Sequence, residues 1–482
     1  MTFWMISGAA IHLLIILLAI IRILIRPHRQ PASRIAWIVV VIALPILGIL
    51  AYLGFGEVNI GRKRVLKLQK IIEDMRNDLL AVSKIEPYFT ANIPKRFIPV
   101  FALGRSVNGF PPVGGNSAKL PVDSNAAIDT MVSDIDAAKK HVHMSFYIWL
   151  LDNNGLKVVE SLKRASERGV TCRVMADAIG SRDMVRSRYW KEMKEEGVKL
   201  AVLLPIDNIL FRPFNGRVDL RNHRKIVVID GSITYCGSQN CADPEFRIKS
   251  EFAPWIDIMM RFEGAVAIQN QYVFASDWML HTDESLYDFL SQPVSLSTED
   301  GFPAQVIATG PTERPTAIPE MFESLLFTAH KKVIITTPYF IPDESLQNAL
   351  CTTAYRGVET IMVFPRKNDS WIVAAASRSY YEELLKAGVK IYEYEGGLLH
   401  TKSVTVDDEV TLIGSANMDR RSFELNYENN ILYYDPGMTS VIQHRQKQYI
   451  SRSVPVTLAE VRAWSFMRRL WNNTIAIFGP LL

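Results

Sequence analysis

The chain has 482 residues, of which 48% are apolar and 22% are charged. That balance is typical of a globular protein with a large core, and it excludes an intrinsically disordered chain. The formal net charge of +4 suits anionic phosphate groups or an anionic membrane surface, but it is too small to indicate a nucleic-acid-binding protein.

The chain begins with two long apolar segments, residues 3–25 and 35–55. At about 1.5 Å of rise per residue, each segment is long enough to cross the roughly 30 Å hydrocarbon core of a bilayer as a helix. Pro45 does not argue against the second helix, because membrane helices tolerate proline. The first segment is too long for a cleaved signal peptide, and a buried core hairpin is the other alternative. We therefore predict a two-helix transmembrane hairpin over residues 1–60.

Positive charges beside these segments indicate the orientation of the hairpin. Three arginines lie in the turn between the segments: Arg26, Arg29 and Arg34. Five basic residues follow the second segment: Arg62, Lys63, Arg64, Lys67 and Lys70. Because positive charge is retained on the cytoplasmic side, the larger group predicts a cytoplasmic catalytic region. Residues 61–115 are then a juxtamembrane linker.

From about residue 120, strand and helix patterns alternate along the chain. Residues 142–149 and 172–176 are predicted strands, and residues 156–168 are a predicted helix. Alternation of this kind is typical of an α/β fold.

The pattern then repeats in the second half of the chain, in the same order. The repeated segments are 168–170 and 356–358, 197–199 and 388–390, 223–225 and 400–402, and 237–240 and 414–417. Ordered matches at drifting offsets indicate two copies with loop insertions rather than a solenoid array. We predict two α/β domains, residues 116–295 and 296–482, related by a pseudo-twofold axis that brings the two histidine segments together.

Each copy contains the motif His-x-Lys-x-x-x-x-Asp. The six motif residues are His223, Lys225, Asp230, His400, Lys402 and Asp407. Residues 226–229 and 403–406 between lysine and aspartate are strand-like, and residues two apart on a strand point to one face. Histidine and lysine of each copy are therefore expected to enter one pocket. A single such motif is usually a solvated strand end, but its duplication inside a wider repeat argues against that interpretation.

Two histidines and two lysines around one pocket suit the transfer of a phosphodiester. The lysines can neutralise the phosphate oxygens, while one imidazole attacks phosphorus and the other exchanges protons with the leaving and entering hydroxyls. Histidine fills both roles because it can be neutral or cationic near pH 7. No metal-ligand cluster is visible in the sequence, and no metal or cofactor is expected.

Several further polar residues are assigned supporting roles. Asp257 and Glu428 are expected to orient the two histidines, since each follows a Gly-Ser turn from which a return strand can reach the site. The turn residues expected to offer donors to the phosphate are Ser238, Asn240, Ser415 and Asn417. Asp230 and Asp407 are expected to tie the motif strands to neighbouring loops.

At these residues the chain resembles the phospholipase D superfamily, and within it the bacterial cardiolipin synthases with a two-helix anchor. The likeness runs over essentially the whole chain and includes residues 146–149, 219–225, 337–340, 365–370 and 395–403. The resemblance implies two phospholipase D-like α/β domains behind the hairpin, in the bacterial inner membrane. It also implies that two phosphatidylglycerol molecules are joined into cardiolipin with release of glycerol. By this similarity His223 is the nucleophile, His400 is the acid and base, and no metal takes part.

Three other functions stay open at this point. A membrane-anchored phospholipase D would hydrolyse phospholipid to phosphatidic acid, and cardiolipin plus glycerol as products would exclude it. A nuclease of the superfamily is disfavoured by the hairpin and the weak charge, and a non-catalytic scaffold by the completeness of both motifs. The sequence leaves the oligomeric state open, a homodimer included.

Two amphipathic segments have alternative interpretations. An apolar rim that would exclude water from the site is formed by Leu210, Phe211, Pro213 and Phe214, interleaved with Arg212, Arg217 and Arg221 for lipid phosphates. An ordinary surface loop is the alternative interpretation of this segment.

Near the C terminus, a group of mostly apolar residues lies at helical spacing: Val461, Trp464, Met467, Trp471, Ile475 and Phe478. This pattern predicts either an amphipathic interfacial helix or a helix packed on the catalytic core.

The four cysteines, Cys172, Cys236, Cys241 and Cys351, form no CxxC pair. We expect buried free thiols, with a disulfide between Cys236 and Cys241 as the alternative.

Overall fold

The structure is a computed structural model that describes residues 2–26, 31–57, 61–82, 91–205, 217, 219–291, 301–311, 314 and 316–477. The chain divides into two compact units. The first comprises residues 1–65 and 206–220 with residue 481, and the second comprises residues 66–205 and 221–480 with residue 482.

The first unit is helical and apolar. Its helices are α1 (Thr2–Ile25), α2 (Pro31–Ala43) and α3 (Pro45–Ala51), followed by a π-helical turn, Tyr52–Gly56. The continuous second helix expected over residues 35–55 is wrong, because the backbone bends at Leu44 and Pro45 starts a new helix. Proline lacks the amide hydrogen that would continue the helix, and its ring clashes with the preceding turn. Within the described part of the chain, no helix combines the length and the apolar content needed to cross a bilayer.

The remaining helices alternate along the chain with the strands. They are α4 (Arg62–Val82), α5 (Ile98–Asn108), α6 (Ser124–Ala137), α7 (Asn153–Glu167), α8 (Arg182–Val185), α9 (Arg188–Glu195), α10 (Val266–His281), α11 (Tyr287–Leu290), α12 (Ala317–Thr328), α13 (Glu344–Tyr355), α14 (Trp371–Ser379), α15 (Tyr381–Ala387), α16 (Arg420–Glu424), α17 (Pro436–Ser451), α18 (Leu458–Arg462) and α19 (Phe466–Ile477). A 3-10 helix covers Arg247–Phe252.

The strands are short, and most of their residues are buried. They are β1 (Val113–Lys119), β2 (His141–Phe146), β3 (Thr171–Asp177), β4 (Lys199–Leu203), β5 (Arg221–Asn222), β6 (Ile226–Ile229), β7 (Ile233–Gly237), β8 (Trp255–Ile256), β9 (Met259–Glu263), β10 (Phe302–Thr309), β11 (Lys332–Thr336), β12 (Glu359–Pro365), β13 (Lys390–Tyr394), β14 (Leu398–Leu399), β15 (Ser403–Val406), β16 (Val410–Gly414), β17 (Asn426–Tyr434) and β18 (Ser453–Val456).

One 16-stranded sheet runs through the second unit in the order β18-β13-β12-β11-β15-β16-β17-β10-β1-β9-β7-β6-β2-β3-β4, with β5 paired to β17. The antiparallel pair β1–β10 joins the two halves. Outward from this pair, each half has antiparallel strands followed by three parallel strands, β2-β3-β4 in one and β11-β12-β13 in the other. The mixed α/β class is therefore confirmed, and the strand order repeats as the sequence does.

The motif strands fall where the sequence predicts them, because β6 covers 226–229 and β15 covers 403–406. The preceding strand is shorter than predicted, since β2 ends at Phe146 rather than at residue 149. Beyond Phe146 the chain pairs instead with Cys241, through hydrogen bonds from the Leu150 amide to the Cys241 carbonyl and from the Cys241 amide to Ile148. This departure leaves Tyr147 beside the site described below.

Residues 61–115, predicted as a linker, hold α4, α5 and the start of β1. Leu68, Ile71 and Met75 of α4 are buried in one core cluster, and Val100 and Phe101 of α5 are buried in another. Their helical spacing gives each helix an apolar stripe, so both helices pack on the sheet instead of bridging solvent.

The four cysteines are buried and free, as expected. Residue spacing predicted a single C-terminal helix, but the structure has two helices there, α18 and α19. Val461 is 4% exposed and Ile475 is 9% exposed, so the inner sides of both helices pack on the second unit. Phe478 lies outside the described residues.

Candidate active site

Short strands set the position of each motif histidine. β5 runs parallel to β17, with Arg221 opposite Asn426 and Asn222 opposite Tyr427. His223 follows Asn222 at the end of β5, and Glu428 follows Tyr427 on β17. The backbone amide of His223 donates to the Tyr427 carbonyl at 2.9 Å. Parallel pairing therefore brings a first-half histidine level with a second-half carboxylate.

The second histidine is placed by the same arrangement with the halves exchanged. β14 runs parallel to β8, with Leu399 opposite Ile256. His400 follows Leu399 and Asp257 follows Ile256, and the His400 amide donates to the Ile256 carbonyl at 2.9 Å. A second-half histidine is thus level with a first-half carboxylate.

Each imidazole is hydrogen-bonded to the carboxylate that the strand pairing brings to it. The Nδ1 of His223 lies 2.9 Å from Glu428 Oε2 and 3.0 Å from its Oε1, while the Nδ1 of His400 lies 2.6 Å from Asp257 Oδ1. An ionised carboxylate only accepts, so Nδ1 carries the proton and Nε2 keeps a lone pair in the neutral ring. The two predicted orienters therefore both contact a motif histidine, but each belongs to the opposite half.

Both motif lysines are buried beside their histidines. Lys225 is 1% exposed and Lys402 is 3% exposed, and each Nζ donates to the carbonyl of its own histidine at 2.7 Å. Burial lowers the pKa of Lys225 to about 8 and the pKa of Lys402 to about 7, although Glu428 and Asp257 act in the opposite direction. Both ammonium groups are therefore shielded from solvent.

Each motif influences the histidine of the other motif electrostatically. Burial is the main cause that lowers the pKa of His223 to about 4, and Lys402 of the other motif contributes in the same direction. Burial likewise lowers the pKa of His400, and Lys225 contributes. Both pKa shifts favour the neutral imidazole near pH 7. Within the residues that the structure describes, no three or more histidine, cysteine or acidic side chains form a metal-binding group.

The serines of the Gly-Ser turns hold the carboxylates rather than facing a phosphate. Ser238 Oγ donates to Asp257 Oδ1 at 2.6 Å, and Ser415 Oγ donates to Glu428 Oε2 at 2.5 Å. Both serines are fully buried, so their hydroxyls fix the carboxylates that fix the histidines. This differs from the expectation of phosphate donors, because the turns sit behind the carboxylates.

The asparagines of the same turns are buried. Asn240 Oδ1 accepts a hydrogen bond from the Ile148 amide at 3.3 Å, on the segment that follows β2. The backbone amide of Asn417 donates to Ser422 Oγ at 3.1 Å, and Ser422 Oγ in turn donates to Glu428. Among the described residues, the side-chain Oδ1 of Asn417 is buried without a hydrogen-bond partner.

The motif aspartates lie at the turns after β6 and β15 and bind backbone amides. Asp230 accepts from the amides of Lys139, Lys140 and His141 at 2.8, 2.8 and 2.9 Å. Asp407 accepts in the same way from residues 330–332 at 2.7–3.0 Å. Both have positive φ, as the turn requires, and they join the motif strand to the start of its neighbour in the sheet.

Several site residues were not found from the sequence. The ring of Tyr147 lies 5.1 Å from that of His223, and the ring of Trp255 lies 4.8 Å from that of His400. Asp277 of α10 accepts from Asn222 Nδ2 at 2.9 Å and from Arg224 at 2.8 Å. Asp277 therefore fixes the side chains of the residues immediately before and after His223. Only Tyr147 carried a sequence signal, as part of an aromatic strand segment.

The predicted apolar rim, Leu210, Phe211, Pro213 and Phe214 with Arg212, lies outside the described residues. Of the two other arginines assigned to it, Arg217 donates to Asp219 at 2.5 Å and to the Phe55 carbonyl at 2.9 Å. Arg221 is 7% exposed, and its charge counters the burial that raises the pKa of Asp177.

Comparisons with known proteins give one consistent result. The family described as "Cardiolipin synthase, PLD-like domain" matches residues 131–278 and 323–450, and "Phospholipase_D-nuclease N-terminal" matches residues 14–57. Cardiolipin synthase A of Serratia proteamaculans (strain 568) is 38% identical, over 96% of this chain and 95% of its own length. Cardiolipin synthase A of Proteus mirabilis (strain HI4320) is 36% identical, over 94% of each chain.

Among solved structures, the phosphatidylserine synthase of Haemophilus influenzae Rd KW20 has a similar fold. It is 16% identical with a TM-score of 0.55, and the match covers 80% of this chain and all of that one.

Proposed function

The chain belongs to the cardiolipin synthases with phospholipase D-like domains, and from this premise we propose that it transfers a phosphatidyl group between two phosphatidylglycerol molecules, giving cardiolipin and glycerol. One observation carries the proposal furthest. Each of two buried histidines is held by a carboxylate from the opposite half and lies beside a buried lysine.

The first step uses the lone pair on His223 Nε2, which is available because Glu428 holds the proton on Nδ1. This nitrogen attacks the phosphorus of the first phosphatidylglycerol, and the bond from phosphorus to the headgroup glycerol breaks. Protonated His400 gives its proton to the leaving glycerol oxygen. A bound phosphodiester favours that protonated state, because its negative charge stabilises an imidazolium.

The second step reverses the proton movement. The terminal glycerol hydroxyl of a second phosphatidylglycerol gives its proton to neutral His400, and its oxygen attacks the same phosphorus. The phosphorus–nitrogen bond breaks, and the electron pair returns to His223. Cardiolipin leaves, and both histidines are back in their starting states. Lys225 and Lys402 stabilise the charge on the non-bridging oxygens throughout.

Identifying the products tests this proposal against hydrolysis. Purified full-length protein would be incubated with phosphatidylglycerol labelled in its headgroup glycerol, in mixed micelles with excess chelator. We expect cardiolipin and free labelled glycerol in equal amounts, because one phosphodiester replaces another. Phosphatidic acid as the main lipid product would instead establish a phospholipase D, and a loss of activity in chelator restored by one divalent ion would overturn the metal-free mechanism.

The two lysines predict how transfer depends on pH. With pKa values of about 7 and 8, Lys402 and Lys225 lose their charge in the free enzyme as the pH rises through this range. We expect kcat/KM to fall between about pH 7 and 9, because a neutral lysine no longer attracts the phosphodiester. His223, with a pKa of about 4, stays neutral over the same range and adds no slope, whereas His400, whose pKa burial holds below its usual value, must be protonated for the first step and so adds to the fall. A profile that is flat across this interval would contradict the prediction.

The crossed carboxylates predict that two matched substitutions slow different steps. Glu428→Gln and Asp257→Asn keep the shape of each side chain but remove the acceptor that fixes the histidine tautomer. Each is expected to slow synthesis by roughly 10²- to 10⁴-fold. On a phosphatidyl nitrophenol, whose leaving group needs no acid, only Glu428→Gln should slow the first release of nitrophenol. Equal bursts from both variants would contradict the assignment of histidine roles.

We also propose that residues 116–295 and 296–482 are two copies of one phospholipase D-like domain, related by a pseudo-twofold axis. The repeated strand order outward from β1 and β10 and the exchange of carboxylates support this arrangement. A rotation close to 180° is expected when one half is superposed on the other in an experimental structure.

The N-terminal unit is proposed to anchor the enzyme in the bacterial cytoplasmic membrane as a hairpin, with the catalytic unit in the cytoplasm. The exposed leucine and isoleucine side chains of α1 and the family match over residues 14–57 support an apolar environment. Because the native cysteines are buried, Phe327→Cys offers a single exposed thiol. A membrane-impermeant maleimide should label it only after spheroplasts are permeabilised, and labelling of intact spheroplasts would reverse the orientation.

A further inference from the structure

Helix α19 leaves a continuous apolar face uncovered. Its exposed large apolar side chains are Phe466, Met467, Leu470, Trp471 and Ile477, which are between 50% and 75% exposed. At 100° per residue these positions fall within one side of the helix. The opposite side, with Asn472 and Ile475, is buried. The exposed face is therefore additional to the face that packs on the catalytic unit.

Helix α14 extends this surface. Trp371 at its start is 61% exposed, and its ring stacks on that of Trp471 with centroids 5.8 Å apart. The inner sides of α14 and α19 share a buried cluster that includes Val373 and Ile475. We call the five exposed side chains of α19 together with Trp371 the tryptophan face. A contiguous group of large exposed apolar side chains marks a site of association with a partner or a membrane.

The tryptophan face is connected to the motif of the second half. Trp371 follows Asp369 by two residues, and Asp369 accepts a hydrogen bond from the Tyr339 hydroxyl at 2.6 Å. Tyr339 also packs on the cluster shared by α14 and α19, and its carbonyl accepts from Thr337 Oγ1 at 2.9 Å. Thr337 lines a small cavity together with Lys402. A short path of contacts thus leads from the exposed surface to this motif lysine.

Basic side chains flank the same surface. Arg468 and Arg469 of α19 are exposed, as is Lys249 on the 3-10 helix. Two of these basic side chains form ion pairs: Lys249 lies 2.5 Å from Asp369, and Arg469 lies 3.7 Å from Glu382. Tryptophan beside arginine is the composition of surfaces that rest in the headgroup region of anionic bilayers.

We infer that the tryptophan face docks on the surface of an anionic phospholipid bilayer and so presents the catalytic site to lipid. The inference rests on the proposed function, since a lipid substrate must pass between bilayer and site. It adds a second membrane contact, located on the catalytic unit itself. An anchor at one end of the chain holds the enzyme at a membrane, whereas a contact beside the site determines which surface faces the lipid.

The contact can be measured without any enzymatic activity. Full-length Met467→Cys would carry an environment-sensitive fluorophore, since the four native cysteines are buried. Phe327→Cys is the control: Phe327 is 51% exposed on α12, which packs against α5 and α13. In phosphatidylglycerol nanodiscs with brominated acyl chains, we expect quenching at position 467 and none at position 327. Absence of quenching at 467 would overturn the inference, as would shielding of that label by a second copy of the chain.

A matched pair of charge substitutions tests what the contact does. Met467→Glu with Leu470→Glu places two negative charges on the tryptophan face, while Phe327→Glu places one elsewhere on an equally exposed apolar side chain. Activity on bilayer phosphatidylglycerol should fall at least about tenfold in the double variant and stay unchanged in the control. Activity on a short-chain, monomerically dissolved phosphatidylglycerol should be equal in all three proteins.

The two assays separate the failure of this inference from failure of the proposed function. Wild-type protein that forms no cardiolipin from either substrate would refute the function, while the quenching measurement would still decide the docking surface. A double variant that keeps full activity on bilayers would refute the docking surface, while leaving the proposed reaction intact.

Discussion

Replacing either His223 or His400 is expected to lower cardiolipin synthesis by roughly four orders of magnitude or more. In the proposed mechanism His223 supplies the attacking nitrogen and His400 moves the proton in both steps, so neither role passes to a neighbouring group. The two effects should also fail to add in the double variant, because residues that act as a unit lose their contribution together. The measurement is the initial rate of cardiolipin formation by each purified variant.

The choice of substitution matters because each histidine partners a buried carboxylate. Alanine leaves Glu428 or Asp257 buried without its partner, which destabilises the fold in its own right. Asparagine retains an amide donor toward the carboxylate, so His223→Asn and His400→Asn should unfold near the wild-type temperature. His444→Ala, on an exposed histidine of α17, is the control and should keep full activity. Near-normal turnover in either motif variant would refute the paired mechanism.

A phosphatidyl group is expected to become covalently attached to His223 when the second step is blocked. His400→Asn removes the base that activates the incoming glycerol hydroxyl, so an intermediate formed on His223 should persist. The first step must then proceed without its acid, and a phosphatidyl nitrophenol supplies a leaving group that needs none. After digestion, mass spectrometry should find the increment on the peptide that contains His223.

The reciprocal variant distinguishes the roles of the two histidines. His223→Asn treated with the same substrate should give no adduct, since the nucleophile is gone while His400 and its carboxylate remain. An adduct on His400 in that variant, with none on His223 in the first, would exchange the two roles. Adducts on neither residue, despite release of nitrophenol, would mean that water attacks phosphorus directly and that no phosphohistidine forms.

The site residues carried by the motifs could be predicted because their signal is local. His223 and Lys225, like His400 and Lys402, are two residues apart immediately before a predicted strand, and an extended backbone directs such residues to one face. The duplication indicated that two such sets meet. Residues 226–229 and 403–406 were predicted as strand-like, and β6 and β15 have these bounds in the structure.

Helix boundaries were less predictable where apolar residues continue through a break. Residues 35–55 are apolar throughout, yet the chain bends at Leu44 and starts a new helix at Pro45. The C-terminal residues share one helical period, yet α18 ends at Arg462 and α19 starts at Phe466. In both places periodicity predicts which faces are apolar, but local backbone geometry decides where a helix ends.

The sequence by itself determined the α/β class and the repeat, and it identified both motifs and both carboxylates that contact their histidines. It did not determine which carboxylate serves which histidine. Asp257 follows His223 and Glu428 follows His400 along the chain, so sequence proximity pairs each with its own half. Tertiary structure pairs them across the halves, because β5 joins β17 and β8 joins β14. Strand pairing between distant segments depends on how the two halves pack, and neither composition nor spacing within one segment encodes that register.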